Sequence, residues 1–140
     1  MKQYPNNLKY KKFHKPSSGF RYLLADRNFF PFYGRYAIVS TESGKLTFKQ
    51  IEAGRKSLKR AVKRLGFLWI RVFTYVSLSK KPLATRMGKG KGSHSKWVCP
   101  IRKGQTIYEI SGLSDLKSYM VLCGAGSKLP VKTKIVKLIY

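Results

Sequence analysis

Residues 46–73 read LTFKQIEAGRKSLKRAVKRLGFLWIRVF, and this stretch decides the fold. Thr47 and Gln50 have the spacing of a capping box, which predicts that a helix begins here. Gly66 stands where such a helix can end. The apolar residues between them recur at about 100° per residue, as on one face of a helix; they are Phe48, Ile51, Leu58, Ala61, Val62 and Leu65. The stretch therefore opens with an amphipathic helix.

Residues 67–73 (FLWIRVF) follow this helix directly and are apolar on both alternating faces apart from Arg71. Such a run predicts a strand buried in the centre of a sheet. On this interpretation Trp69 belongs to the core and is not a stacking platform on the surface.

Further strands are predicted on both sides of this unit. An aromatic segment at 26–34 predicts a strand that leads into a turn, and the β-branched run at 36–40 predicts another strand. Residues 97–101 and 106–110 flank the turn-forming segment 102–105, so they predict a hairpin.

A second helix and a last strand complete the predicted fold. Ser114 can cap this helix. In the earlier strand 97–101, Pro100 predicts an edge position or a bulge, because proline cannot donate a ladder hydrogen bond. Residues 131–139 alternate apolar residues with lysines, and the slip at 135–136 predicts a bulge. The apolar side of the second helix is predicted to be Leu113, Leu116, Met120 and Cys123. Because the spacing is not that of regular βαβ units, the predicted class is α+β, one compact domain with a mixed or antiparallel sheet covered by two helices.

Charge is the strongest functional signal in the chain. Lys and Arg number 30 against 5 acidic residues, a formal net charge of +25. Self-repulsion of this size disfavours a compact free state, so we expect an abundant anion in the native environment. With 140 residues, 43% of them hydrophobic and 14% aromatic, the chain is a folded domain and not a disordered basic tail. Nucleic acid is the leading candidate, ahead of an anionic membrane or an acidic protein.

The residues needed for catalysis or metal binding are not grouped in the sequence. Metal-dependent phosphodiester cleavage needs clustered carboxylates, but the acids are spread singly, with three of them interpreted as helix or hairpin charges. Cys99 and Cys123 lack metal-ligand spacing and are interpreted as two buried free thiols. We therefore predict no enzyme activity, no cofactor, no metal and, without an 18-residue apolar run, no transmembrane helix. The acids are Asp26, Glu42, Glu52, Glu109 and Asp115, of which the last three are the helix or hairpin charges.

Three basic segments predict contacts with nucleic acid. The loop 80–97 (KKPLATRMGKGKGSHSKW) has alternate glycines and no acid, so its backbone can approach a polyphosphate closely. The arm 1–21 interleaves lysines with rings that stack either on bases or on the body of the protein. The outer face of the first helix is also basic. The alternative for all three is ordinary solvated charge. The predicted contacts are Lys9, Lys11, Lys12, His14, Lys15, Lys56, Arg60, Lys63, Arg71, Lys81, Arg86, Lys89, Lys91, His94 and Lys96.

Several short motifs, taken in order, resemble a known family. From about residue 9 to residue 136 the chain is similar to the bacterial-type large-subunit ribosomal protein 16 family, which is homologous to the cytosolic large-subunit protein 10. The heptapeptide at 86–92 is the most specific of the motifs. They are QIEA at 50–53, AVKR at 61–64, WIRVF at 69–73, KPL at 81–83, RMGKGKG at 86–92, WV at 97–98 and KLPVKT at 128–133.

The resemblance implies a hammerhead-type α+β domain embedded in large-subunit ribosomal RNA, near the A-site side of the peptidyl transferase centre. It implies partners of three kinds: large-subunit rRNA, A-site tRNA bound transiently, and neighbouring large-subunit proteins. Residues 83–97 correspond to the family's conserved loop, with Arg86 and Lys89 at its most deeply inserted positions. The segment 9–15 corresponds to a second RNA-contacting segment. The expected organisation is thus a basic arm at 1–21 and an rRNA-binding domain at 22–140.

The cellular location is predicted from composition. Enrichment in Lys, Ile, Tyr, Phe and Asn suits an AT-rich organellar genome, and the N-terminus does not read as a transit peptide. The mitochondrial ribosome is therefore the first expectation, the plastid the second and the bacterial cytoplasm the third. Two rival functions are a free-standing nucleic-acid chaperone and a cationic protein of membrane surfaces. The capped helix and the apolar strand favour a packed domain over the second rival.

Overall fold

The computed structural model describes residues 4–6, 8–14, 31–88 and 90–138. Seven strands and two helices lie within these residues. In chain order they are β1 (Tyr36–Ser40), β2 (Gly44–Thr47), α1 (Phe48–Val62), β3 (Phe67–Ile70), β4 (Val76–Lys80), β5 (Ser93–Ile101), β6 (Thr106–Ser111), α2 (Asp115–Gly126) and β7 (Thr133–Lys137).

The strands form two antiparallel sheets where the sequence predicted one. The first sheet has the order β3-β6-β1-β7, and the second has the order β2-β5-β4. Helices α1 and α2 pack on each other; α1 also contacts β3, and α2 contacts β1 and β7. The α+β class and the two helices are confirmed.

Helix α1 begins as the sequence predicts. The Thr47 N–H donates to Oε1 of Gln50 at 2.9 Å, and the Gln50 N–H donates to Oγ1 of Thr47 at 3.4 Å. The helix ends at Val62, before the predicted end at Gly66, because Lys63 turns the chain with a φ of 51°. Leu65 therefore leaves the apolar face and is exposed.

Strand β3 lies at the edge of its sheet, so the predicted central position is wrong. It pairs with β6 alone, and Phe67 is 68% exposed. Trp69 is half-buried, with its ring 6.1 Å from that of Tyr33 and 5.9 Å from that of Phe67. The run is apolar on both faces because its outer face carries an aromatic cluster. The central strands are β6 and β1, whose residues are almost all buried.

The predicted hairpin of residues 97–101 and 106–110 is also wrong. The turn at 102–105 exists, with the Gln105 N–H donating to the Arg102 carbonyl at 3.2 Å. However, β5 pairs with β2 and β4, whereas β6 pairs with β1 and β3. The turn therefore carries the chain from one sheet to the other. Strand β5 is the central strand of its sheet, so Pro100 is not on an edge strand. Pro100 lies opposite Lys45 of β2, but it is beyond the residues of β5 that pair with β4, so one of its sides is unpaired.

Helix α2 has Ser114 at its N-cap position as predicted, but the Ser114 side chain makes no capping hydrogen bond and the helix buries a different face. Its buried residues are Ser118, Leu122 and Ala125, because small side chains let α2 approach α1 closely. Leu116 is 83% exposed. Cys123 is exposed as well, so one of the two predicted buried thiols is wrong. Cys99 is buried, and burial raises the pKa of its thiol to about 11. The remaining members of the predicted apolar side are half-buried Leu113 and exposed Met120.

The predicted bulge in the last strand is wrong, because the pairing of β7 with β1 runs without a register shift at 135–136. Strand β1 has its register shift in the pairing with β6, between Ile38 and Val39. The bends at 32–35 fit the turn predicted at the end of the 26–34 segment, whereas 26–30 and 139 lie outside the described residues.

The core lies between the first sheet and the two helices, with further residues from β2 and β5. At its centre the fully buried Tyr108 hydroxyl donates to the Ile51 carbonyl at 2.6 Å, which ties β6 to α1. The core cluster comprises Tyr36, Ile38, Leu46, Ile51, Leu58, Val62, Val72, Cys99, Ile101, Ile107, Tyr108, Ile110, Leu122, Ala125, Leu129 and Val131.

Candidate nucleic-acid interface

The described part of the N-terminal arm packs on β5. The Tyr4 ring lies 6.4 Å from the Trp97 ring at an interplanar angle of 21°, and the Phe13 ring lies 6.2 Å from Trp97 at 65°. Of the two alternatives for the arm, Tyr4 and Phe13 thus pack on the body of the protein, although both remain partly exposed, and Tyr10 is more exposed than either. The rest of the arm, residues 1–3, 7 and 15–21, lies outside the described residues.

The basic loop projects from the hairpin of β4 and β5. It spans 81–92 and is shorter than the predicted 80–97, because Ser93 to Trp97 belong to β5. Leu83 is 98% and Met87 100% exposed. Gly88 and Gly90 have φ values of 98° and 76°, a conformation that L side chains rarely adopt. The loop therefore presents its backbone and its cations to a partner.

The arm and the loop touch each other, although about 80 residues separate them. Nζ of Lys12 donates to the Lys91 carbonyl at 3.2 Å, and Nζ of Lys91 donates to the Phe13 carbonyl. Within the loop, Nζ of Lys81 donates to the Gly88 carbonyl. Two basic segments that the sequence shows separately thus form one region, here called the arm–loop surface (8–14 and 81–92).

Helix α1 adds a second basic region next to this surface. Lys49, Lys56, Arg60 and Lys63 are exposed and follow one another at spacings of seven, four and three, which places them on one face. We call them the α1 basic face. Fourteen residues of helix span about 21 Å. Lys49, at one end, lines the same cleft as Lys11 of the arm, so the two regions are continuous.

The acidic side chains that the structure describes form their closest pairs outside these regions, although the charge of Glu52 also interacts with that of Lys56. Glu52 pairs with Arg55 at 2.6 Å, and this hydrogen bond lowers the pKa of Glu52. Asp115 pairs with Lys137 at 2.6 Å, which lowers the pKa of Asp115. Glu42 accepts from the Lys132 N–H at 2.9 Å. Among the described residues, no salt bridge reaches the arm–loop surface or the α1 basic face.

Glu109 was interpreted from the sequence as a helix or hairpin charge, but it is a buried structural residue. Its side chain is fully buried, and Oε2 accepts from the backbone N–H groups of residues 32, 33 and 34 at 3.0, 2.6 and 2.9 Å. Its Oε1 accepts from Nη1 of Arg71 at 2.6 Å. Arg71, a predicted RNA contact, is therefore set apart from the basic regions and holds the 31–34 segment on β6. The sequence did contain a signal for this pair, because Glu109 is the single acid in the run 106–110 and Arg71 the single base in the run 67–73.

The predicted contacts divide into three groups. Those in the arm–loop surface and α1 basic face are brought together, and His94 and Lys96 of β5 join them along the cleft. Arg71 is separate, and Lys15 and Lys89 lie outside the described residues. Lys49 lies on the basic face that the helical period predicts for α1, and it joins the cleft as well.

The described ranges contain neither a membrane-spanning helix nor a candidate metal site. No helix there is long and apolar enough to cross a membrane. No group of three or more His, Cys, Asp or Glu side chains there could hold a metal ion.

The fold and the surface define a small α+β protein with one extended, uncompensated cationic region. A model of the family described as ribosomal protein L16p/L10e matches residues 5–136. The chain belongs to this family, which confirms the resemblance noted in its motifs.

Bacterial relatives match nearly the whole chain. Large ribosomal subunit protein uL16 of Psychrobacter arcticus is 43% identical over 133 residues, 95% of each chain. The protein of the same name from Buchnera aphidicola is 44% identical over 131 residues, 92% of each chain. That of Psychrobacter cryohalolentis is 42% identical over 133 residues, 95% of each chain.

Proposed function

We propose that this protein is a structural component of the large ribosomal subunit and binds its ribosomal RNA through the arm–loop surface and the α1 basic face. The observation that carries the proposal is the continuity of these cations, none of which forms a salt bridge with a described acidic residue. Family membership supplies the ribosomal setting. The role is binding and not catalysis.

RNA phosphates suit this surface because they complement its charge and release condensed counterions when lysines replace them. A chain of +25 gains more from this exchange than a neutral one. The contacts of Lys12 and Lys91 with opposite backbones hold the arm near the loop, so both can meet one RNA region.

The projecting loop suggests the finer role, support of the region that accepts A-site tRNA. Arg86 is exposed in the loop, beside two glycines of positive φ. Its planar guanidinium can make a paired contact with a phosphate or a base edge, which lysine cannot copy. Neighbouring large-subunit proteins are proposed as further partners.

The RNA-binding proposal is tested by the salt dependence of binding to protein-free large-subunit rRNA. If six to ten phosphates are neutralised, affinity should fall roughly 10³- to 10⁵-fold between about 50 and 200 mM salt. Changing Lys56, Arg60 and Lys63 together to glutamine should flatten the log–log slope by roughly 2 to 3. Filter binding over a salt series measures both quantities.

A matched control removes the same charge elsewhere, by changing exposed Lys117, Lys128 and Lys132 to glutamine. We expect its slope to stay near that of the unchanged protein. Equal losses in the two triple variants would show that net charge, and not the α1 basic face, controls binding. A protein that leaves large subunits in a moderate salt wash would instead fit the free-standing chaperone.

The role of the loop is tested by Arg86→Lys. Because the charge is kept and the bidentate geometry is lost, translation rate per assembled subunit should fall while subunit abundance stays constant. Lys91→Arg is the control in the same loop and should have the smaller effect. An unchanged rate for Arg86→Lys subunits would exclude the proposed contact.

The cellular location is also a proposal. The relatives reported above are bacterial, and composition remains the reason for proposing a mitochondrial ribosome before a plastid or bacterial one.

A further inference from the structure

A cleft of about 1140 Å³ lies between the arm, the start of α1 and β5. Ligand sites commonly have volumes of roughly 300 to 1,000 Å³, so this cleft has room for a nucleotide. Its lining combines aromatic rings (Tyr4, Trp97), an imidazole (His94) and three lysines (Lys11, Lys49, Lys96).

The aromatic part of the cleft is held by the second sheet. Trp97 is half-buried in β5, opposite Ser77 of β4. The buried hydroxyl of Ser77 shares a hydrogen bond of 2.6 Å with Nδ1 of His94, whose ring centroid lies 4.8 Å from that of Trp97. The Trp97 plane is thus fixed before any ligand arrives, which lowers the entropic cost of stacking.

The polar part of the cleft favours an anion attached to a flat ring. Lys11 comes from the arm, Lys49 from the first turn of α1 and Lys96 from β5, so three elements contribute one cation each. None of the described residues that line the cleft is acidic. A base has a π-face for the indole ring, and its phosphate can reach the ammonium groups.

We propose that this cleft binds one unstacked nucleotide of single-stranded RNA, with the base inserted between the Trp97 and Tyr4 rings and its phosphate among Lys11, Lys49 and Lys96. The inference rests on the proposed function and deepens it. The cleft should differ in specificity from the rest of the basic surface. Phosphate contacts can be made by a duplex or a single strand, but a duplex buries its base faces and cannot present one to an indole ring.

The test uses the full chain with Trp69→Phe, so that Trp97 is the tryptophan that reports fluorescence. The probes are a single-stranded RNA octamer, the same octamer lacking its bases, a duplex of the same sequence, and AMP. We expect the base-bearing single strand to quench Trp97 and to bind about tenfold more tightly than the abasic strand, since stacking supplies the difference. The duplex should quench weakly at equal occupancy.

Variants of the cleft complete the test. Trp97→Leu should remove the preference for base-bearing over abasic RNA, while Trp97→Phe should keep part of it. Tyr4→Ala should also weaken that preference. Because Tyr4 lies in the arm and outside the core cluster, we expect the domain to stay folded.

Three outcomes would overturn the inference: equal affinity for abasic and base-bearing strands, equal quenching by the duplex, or AMP that displaces the octamer at equal concentration. The last would identify a free-nucleotide site. Binding to large-subunit rRNA is measured on the same samples. If binding to rRNA depends steeply on salt but shows no preference for base-bearing strands, the cleft proposal is rejected and the proposed function stands. If the unchanged protein does not bind large-subunit rRNA, the proposed function is rejected.

Discussion

At the scale of the residue, Glu109 determines how the 31–34 segment joins the sheet. The carboxylate accepts three backbone N–H groups and one guanidinium N–H, so its charge is satisfied although no water reaches it. Arg71 gains two aromatic neighbours from the same arrangement, at 5.1 Å from the Tyr33 ring and 6.0 Å from the Phe32 ring. The buried Glu109 carboxylate thereby positions the Arg71 guanidinium and the backbone of residues 32–34. Through them it also positions the Phe32 and Tyr33 rings.

Glu109→Gln should destabilise the domain by about 3 kcal/mol or more, because the amide aims a donor at other donors and leaves Arg71 without its anion. Urea unfolding monitored by circular dichroism measures the free energy of unfolding. The control is Glu52→Gln, which breaks a partly exposed pair within one helix and should cost about 1 kcal/mol or less. Equal costs for the two variants would contradict this account of Glu109.

At the scale of the element, the parts of the sequence whose signals are local were predicted well. The α1 capping box needs only residues three apart, and the helical period needs only the next turn. The position of β3 depends on which strand pairs with it, and an apolar run does not carry that information. The turn at 102–105 was found for the same local reason, whereas its change of sheet was not.

Helix α2 shows a second limit. Leu116, Tyr119 and Met120 are exposed, whereas the buried residues are Leu122 and the small residues Ser118 and Ala125. Periodicity ranks faces by hydrophobicity, but close packing of two helices selects by size. The prediction therefore chose the wrong face from the right helix.

Two glycine substitutions test the packing of the helices. A Cβ on Gly54 of α1 would lie 2.6 Å from the buried Tyr108 hydroxyl, so Gly54→Ala should destabilise the domain by about 1 to 3 kcal/mol. A Cβ on Gly124 of α2 would meet nothing within 4 Å, so Gly124→Ala should stabilise it by about 0.5 to 1 kcal/mol. Chemical denaturation of both variants should give opposite signs. A stabilising Gly54→Ala would contradict the close approach of α1 to β6.

At the scale of the whole molecule, the structure joins basic segments that the sequence could only show one by one. The hydrogen bond from Lys12 to the Lys91 carbonyl spans 79 residues, and no local pattern predicts such a contact. Net charge indicated a polyanionic partner, and the family motifs indicated which one. The continuity of the surface from the arm and loop to α1 required the fold.

The central claim is that RNA covers this continuous surface and leaves α2 open. It is tested most directly by acetylating lysines in the free protein and in its complex with protein-free large-subunit rRNA, followed by mass spectrometry. We predict that RNA protects Lys11, Lys12, Lys49, Lys56, Lys91 and Lys96, whereas Lys117, Lys128 and Lys132 stay reactive. Uniform protection of all nine lysines, or protection centred on α2, would contradict the account.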